Sequence, residues 1–125
     1  WVEMIPPQDL QIGTLKMKTF WQQHGRIQSV GIRIGNLAYS TDVNAFPEES
    51  EQHLYGLDTW FVDCNCVEPT DNSHGHLEKC LAWVEKYKPK KTYLTHLDYT
   101  VDYDTVTKLL PPHVALAYDG LVVEF

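Results

Sequence analysis

Apolar and polar residues alternate with period two along Thr14-Leu15-Lys16-Met17-Lys18-Thr19-Phe20, which predicts a strand with one buried face. Gln22-Gln23-His24-Gly25 closes that strand and leaves His24 at the mouth of a loop. Ile27 to Ile34 forms the next strand, Gly35-Asn36 supplies a tight turn, and Leu37-Ala38-Tyr39 carries the chain back until it stops at Ser40-Thr41-Asp42. Pro47, Glu48, Glu49, Glu51 and Gly56 bracket a short helix from Pro47 to Tyr55, with carboxylates at its positive end and glycine past its last turn. Asp58 to Cys64 is a short, mostly apolar run, the pattern of a strand covered on both sides. Cys66 to Ser73 is a loop. Leu77, Cys80, Leu81, Val84 and Tyr87 then recur at helical spacing until Pro89 stops the helix. Thr92 to His96 is another strand, Asp102 caps a last helix running to about Leu110, and Val114–Ala117 with Leu121–Phe125 makes a terminal hairpin around Asp119-Gly120. Upstream, the stretch from Trp1 to Gln11 reads as a lead-in with a short strand before Pro6-Pro7. The resulting order, β-β-β-α-β-α-β-α-β-β, is α/β with a mixed sheet.

Composition narrows the class. At 125 residues, 43% apolar and 22% charged, the chain suits one domain over 1–125 that buries its own core. No window approaches the roughly 18 apolar residues of a membrane helix, so no membrane partner is expected. A formal charge of −7 argues against a nucleic-acid partner. The one basic cluster, Lys86-Tyr87-Lys88-Pro89-Lys90-Lys91, reads as a helix C-terminus favouring cations. Three cysteines, an odd number, point to a reducing, cytoplasmic setting. Cys64-x-Cys66 is spaced more tightly than the usual two-residue gap of a zinc pair. The chain opens on Trp1-Val2-Glu3-Met4, a hydrophobic phrase already under way, as expected of a piece of something longer.

The chemistry gathers at strand ends. His24, Asp42 and His96 each sit at or just past a predicted strand, and His74 starts a helix. Strand ends on one rim of a sheet can converge. Two imidazoles and a carboxylate suit zinc, iron or manganese, and a further imidazole can act as an acid or hold a phosphate. The competing local reading makes Asp42 a cap of the turn into the next helix.

The phrasing points further. His24-Gly25, then Ser29-Val30-Gly31-Ile32-Arg33-Ile34-Gly35, then Ala38-Tyr39-Ser40-Thr41-Asp42-Val43 resembles the metallo-β-lactamase-fold hydrolases, in the branch of the phosphonate-pathway phosphodiesterase. Asp58 to Cys64, Ser73-His74-Gly75-His76-Leu77-Glu78, Leu94-Thr95-His96-Leu97 and Ala117-Tyr118-Asp119-Gly120-Leu121 look like that family's later segments. The resemblance implies half of an αββα sandwich, a mixed sheet with helices on one face. It makes His24 a ligand of one divalent metal, Asp42 a carboxylate bridging two, and His96 a ligand of the other. His74 becomes the phosphate contact or general acid, with His76 the competing candidate. His53 and His113 have no counterpart and read as surface residues.

The resemblance spans residues 13–125 yet corresponds to the second half of a family member, because the signature His-x-His-x-Asp-His occurs nowhere in the chain. Three expectations follow. The isolated half binds at most one metal, weakly. It exposes an apolar sheet face of several hundred Å², more than soluble monomers tolerate. It covers that face with a second copy of itself, as a homodimer, or with the missing N-terminal half.

Overall fold

In a computed structural model, residues 3–69 and 73–125 are described. Residues 1–2 and 70–72 lie outside them, the latter inside the predicted loop from Cys66 to Ser73. The described residues form seven strands in one mixed sheet, ordered as they occur in the chain. Strands β1 (Gln8–Ile12), β2 (Leu15–His24), β3 (Ile27–Ile34) and β4 (Leu37–Ser40) form an antiparallel meander. Helix α1 (Glu48–Glu51) leads to β5 (Thr59–Asp63), α2 (Leu77–Tyr87) to β6 (Lys91–Thr95), and α3 (Tyr103–Thr107) to β7 (Val114–Leu116). The strands β4 to β7 are mutually parallel. Because β-helix-β crossovers are right-handed and each step here moves the same way across the sheet, all three helices fall on one face.

That face holds the core. Trp60, Val62, Leu94, Leu116 and Ala38 point into it and meet Leu77, Cys80, Val84 and Tyr87 of α2. Trp60 packs at ring-centroid distances of 5.9 Å from Phe46 and 5.8 Å from Tyr87. Each fully buried aliphatic or aromatic side chain there contributes about 1.5–3 kcal/mol relative to exposure. Alternate residues of the same strands point the other way. Trp21, Val30, Ile32, Phe61 and Tyr93 are half-buried and Tyr39 is exposed. Tyr39, Phe61 and Tyr93 lie in register on adjacent strands, with centroid spacings of 6.1 and 5.0 Å. No helix among the described residues crosses this face.

Several expectations need correction. The lead-in strand follows Pro6-Pro7 instead of preceding it: Gln8–Ile12 pairs with the first half of β2 across Gly13, whose φ of +61° the turn requires. Its polar sequence, QDLQI, conceals an edge strand that is largely solvent-exposed. The helices α1 and α3 are shorter than the patterns over Pro47–Tyr55 and 102–110 suggested, since neither buries a long apolar stripe. Asp102 does cap α3, accepting from the Thr105 N–H at 2.8 Å. The terminal hairpin does not form: Val114–Leu116 pairs in parallel with β6, and Leu121–Phe125 makes no strand. No helix among the described residues is long and apolar enough to cross a membrane.

Candidate metal centre

The direction of β2 matches that of β4 to β6, because two antiparallel pairings separate β2 from β4. Their carboxyl ends therefore share one rim, where ligand sites of open α/β sheets form. His24 ends β2, Asp42 follows β4, Asp63 ends β5, and His96 follows β6. His74 enters from the loop ahead of α2. The side-chain ligand atoms of Asp42, Asp63, His74 and His96 all lie within 4.8 Å of one another. The Nε2 of His24 lies 3.9 Å from Asp42 Oδ1, and that of His96 lies 3.6 Å from the same oxygen. The His74 ring sits between the others, 4.6 Å from His24 edge-on and 4.9 Å from His96 stacked.

Two of the imidazoles and the buried carboxylate are oriented from behind. His24 Nδ1 donates to the Ser73 carbonyl at 2.8 Å, which leaves the ring lone pair on Nε2, facing Asp42. His74 Nδ1 lies 2.8 Å from Asp63 Oδ2, so the buried carboxylate holds the proton on Nδ1. Asp63 also accepts from the Val43 N–H at 3.2 Å. Gly75 makes this approach possible: a Cβ there would come within 2.6 Å of the Asp63 carbonyl. Beneath, Cys80 Sγ donates to that carbonyl at 2.9 Å, while its hydrogen bonding with Cys64 and burial push the Cys80 thiol well above its ordinary range. All three cysteines are buried, and Cys80 braces the site from below.

The donor set fits a divalent cation. Two carboxylates and three imidazoles are the mixed oxygen and nitrogen ligands that zinc, manganese and iron accept. Asp63 is fully buried, yet its Oδ1 has no hydrogen-bond partner among the described residues. A buried carboxylate oxygen left so is costly unless a cation neutralises it.

All four residues singled out from the sequence, His24, Asp42, His74 and His96, thus reach one rim. His76 does not: it is the N-cap of α2, outside the cluster, with its Nδ1 buried. His53 is more than a surface residue, because its ring stacks on Phe20 at 5.2 Å. Asp63 was missed by the sequence reading. The available signal was the rule applied to Asp42, a carboxylate closing an apolar strand, hidden because Asp63 was placed inside a longer strand.

A cavity of about 710 Å³ lies at the other end of the strands, between the β1–β2 hairpin and α1. Two of its three cations serve the fold: Lys18 pairs with Asp9 at 3.1 Å, and Arg33 donates to the carbonyls of Gly35, His53 and Tyr55. A smaller one, about 280 Å³, is lined by Thr95, His96, Ala117 and Tyr118 and opens beside the metal-type cluster. Size and chemistry part here, and the chemistry lies with the smaller opening.

Comparison with known proteins agrees. A crystal structure of a diphosphatase from the PhnP family is 31% identical, superposes with a TM-score of 0.91, and is matched over 97% of this chain and 47% of its own. The metallo-β-lactamase-fold protein YhfI from Bacillus subtilis is 17% identical with a TM-score of 0.78, over 96% of this chain and 54% of its own. An octanoyltransferase from Porphyromonas gingivalis is 25% identical over 120 residues, 95% of this chain but 24% of that protein. The chain therefore spans about half, or less, of the proteins it matches. The family described as Beta-lactamase superfamily domain matches residues 1–97, and the chain belongs to that family, with the metallo-β-lactamase fold.

Proposed function

We propose that this chain is the C-terminal half of a metal-dependent hydrolase of phosphodiesters or related esters, inactive by itself. One observation carries the reading: five chemistry-bearing side chains from separate elements meet at one rim around a buried carboxylate oxygen with no hydrogen-bond partner among the described residues. The 31% identity to a PhnP-family diphosphatase supports phosphorus–oxygen bond cleavage as the reaction class.

In this reading His24, Asp42 and His96 would hold divalent ions, zinc, manganese or iron, with Asp42 as the shared carboxylate. Such ions, when bound, polarise an ester oxygen and lower the pKa of water to near 7. His74 contacts a phosphoryl oxygen of the substrate and passes a proton to the leaving oxygen. Asp63 keeps the His74 ring oriented and stabilises its protonated form, the role a buried carboxylate plays behind a catalytic imidazole. The remaining ligands, including those of a His-x-His-x-Asp-His segment, come from outside these 125 residues.

The test is metal analysis by mass spectrometry beside hydrolysis of bis-p-nitrophenyl phosphate. The isolated chain is expected to retain less than one equivalent of metal and to show no turnover. Fusion to a half carrying the missing motif should restore both, and Asp42→Ala should abolish them. Two equivalents with turnover in the isolated chain would overturn incompleteness.

The bare sheet face favours a second reading, a free-standing, non-catalytic half-domain that homodimerises. Tyr39, Phe61, Tyr93, Trp21, Val30 and Ile32 support it, since such a face seeks cover. Light scattering decides: a folded monomer at micromolar concentration would exclude it, and a dimer without metal or turnover would favour it over the first.

A further inference from the structure

Among the described residues three that are not glycine have positive φ: Lys88, which ends α2, and Asp42 (+53°) and His96 (+62°) of the metal-type cluster. A left-handed backbone costs a residue with a side chain about 1–3 kcal/mol and persists where its surroundings over-determine it. Asp and His are among the types that tolerate it best. Something must still hold the peptide planes in place.

We propose that Ser29 and Asn65 are positioning residues that clamp Asp42 and His96 in these conformations by capturing their carbonyls. Ser29 Oγ donates to the Asp42 carbonyl at 2.6 Å. Gln22, fully buried, supports it, its Nε2 donating to Ser29 Oγ at 3.2 Å and to the Thr41 carbonyl at 3.1 Å. Both peptide planes that leave Thr41 and Asp42 are thus tied to β2 and β3. On the other side of the site, Asn65 Nδ2 donates to the His96 carbonyl at 3.1 Å. The backbone of Asn65 is fixed in turn, its N–H donating to the Gly75 carbonyl at 2.9 Å and its carbonyl accepting from the Asp98 N–H at 2.8 Å. Asn65 therefore couples the loop that carries His74 to the turn that carries His96.

The geometry gives the two clamps one consequence. If φ of Asp42 or His96 changes sign, the carbonyl rotates away from its clamp and the side chain leaves the rim. Neither Ser29 nor Asn65 is itself a ligand, so their effect runs wholly through backbone conformation. The clamp is a statement about the metal-free chain, and its effect on metal rests on the functional reading above.

The experiment uses the full chain and two readouts. Ser29→Val removes the hydroxyl, and Ser29→Thr, nearly the same shape as Val, keeps it. Asn65→Leu removes the donor on the other side at a position that is only partly buried, so it tests the second clamp even if Ser29→Val does not fold. In the metal-free chain, NMR reports φ directly, since a left-handed residue has a short intraresidue distance between HN and Hα and a correspondingly strong nuclear Overhauser effect. That signal should be lost at Asp42 in Ser29→Val, kept in Ser29→Thr, and lost at His96 in Asn65→Leu. Positive φ persisting at Asp42 in folded Ser29→Val, or at His96 in Asn65→Leu, overturns the proposal.

Equilibrium dialysis against zinc is the second readout. The dissociation constant should rise about tenfold to a hundredfold in both clamp-less variants, as for the loss of outer groups that orient metal ligands, with Ser29→Thr near wild type. If φ changes sign while measurable zinc binding is the same in all variants, the clamp stands and the metal reading of the site fails.

Discussion

The two faces of the sheet are made by the same strands and differ by one residue in phase. On one, Trp60 and Val62 are wholly enclosed by helices; on the other, Phe61 between them is half-buried, and its neighbour Tyr39 is 44% exposed. A strand that is hydrophobic on both faces asks for cover on both. The three crossovers supply it on one face only, since their common handedness and direction leave the other without a helix among the described residues. The closed face makes the fold, and the bare face is where the proposed second copy or missing half would sit.

Substitutions at adjacent positions sharpen the contrast. Trp60→Ala should cost about 3–5 kcal/mol in urea denaturation, because it empties a site that cannot collapse. Phe61→Ser, one residue on, should cost the monomer less than half as much while dissociating any dimer seen by light scattering. Equal costs at both positions, or a dimer indifferent to Phe61→Ser, would mean that the face is not an interface.

The rim where the two faces meet is the next test. Asp63→Asn keeps the shape of the buried side chain and removes its charge. Zinc affinity should fall at least tenfold, with the unfolding midpoint nearly unchanged, because the amide oxygen can still accept from the Val43 N–H and His74 Nδ1 while Oδ1 has no partner among the described residues to lose. A large loss of stability with metal binding intact would recast Asp63 as a structural anchor.

The smallest expected effect belongs to the closed face. Burial, with help from the charge of Glu51, pushes the Tyr87 phenol up to about 12. An unfolded tyrosine ionises near 10. The folded state thus holds its proton more tightly, so this contribution is complete below pH 10 and disappears as pH rises from 10 to about 12. Tyr87→Phe should flatten the alkaline fall in the urea midpoint between pH 9 and 11. An unaltered fall would place the cause at other groups.

Much of this was legible in the residues alone. The helix over Leu77–Tyr87 with its stop before Pro89, the Gly35-Asn36 turn, and the strands around them follow from periods of 3.6 and 2, which depend only on neighbours in the chain. His24, Asp42, His74 and His96 were visible as ligand-type residues interrupting apolar runs. The strand of Gln8–Ile12 was not, because its register comes from β2 and not from any hydrophobic pattern of its own. Nor was the absence of a final strand after Gly120: a hairpin signal has no force where β7 already pairs with β6 and nothing draws its partner in.

What the sequence by itself determined is the set of local periods and the chemical kinds of residue at their ends. What only the tertiary structure decided is which of those residues share a point in space. The choice of His74 over His76 turns on two residues' difference in where a loop meets a helix. Asp63 becomes part of the site because three parallel strands end level with one another. The left-handed turns at Asp42 and His96 rest on Ser29 and Asn65, which are 13 and 31 residues away along the chain. The physical reason is common to all three: hydrogen bonds and charge act through distance in space, and only the folded sheet sets that distance.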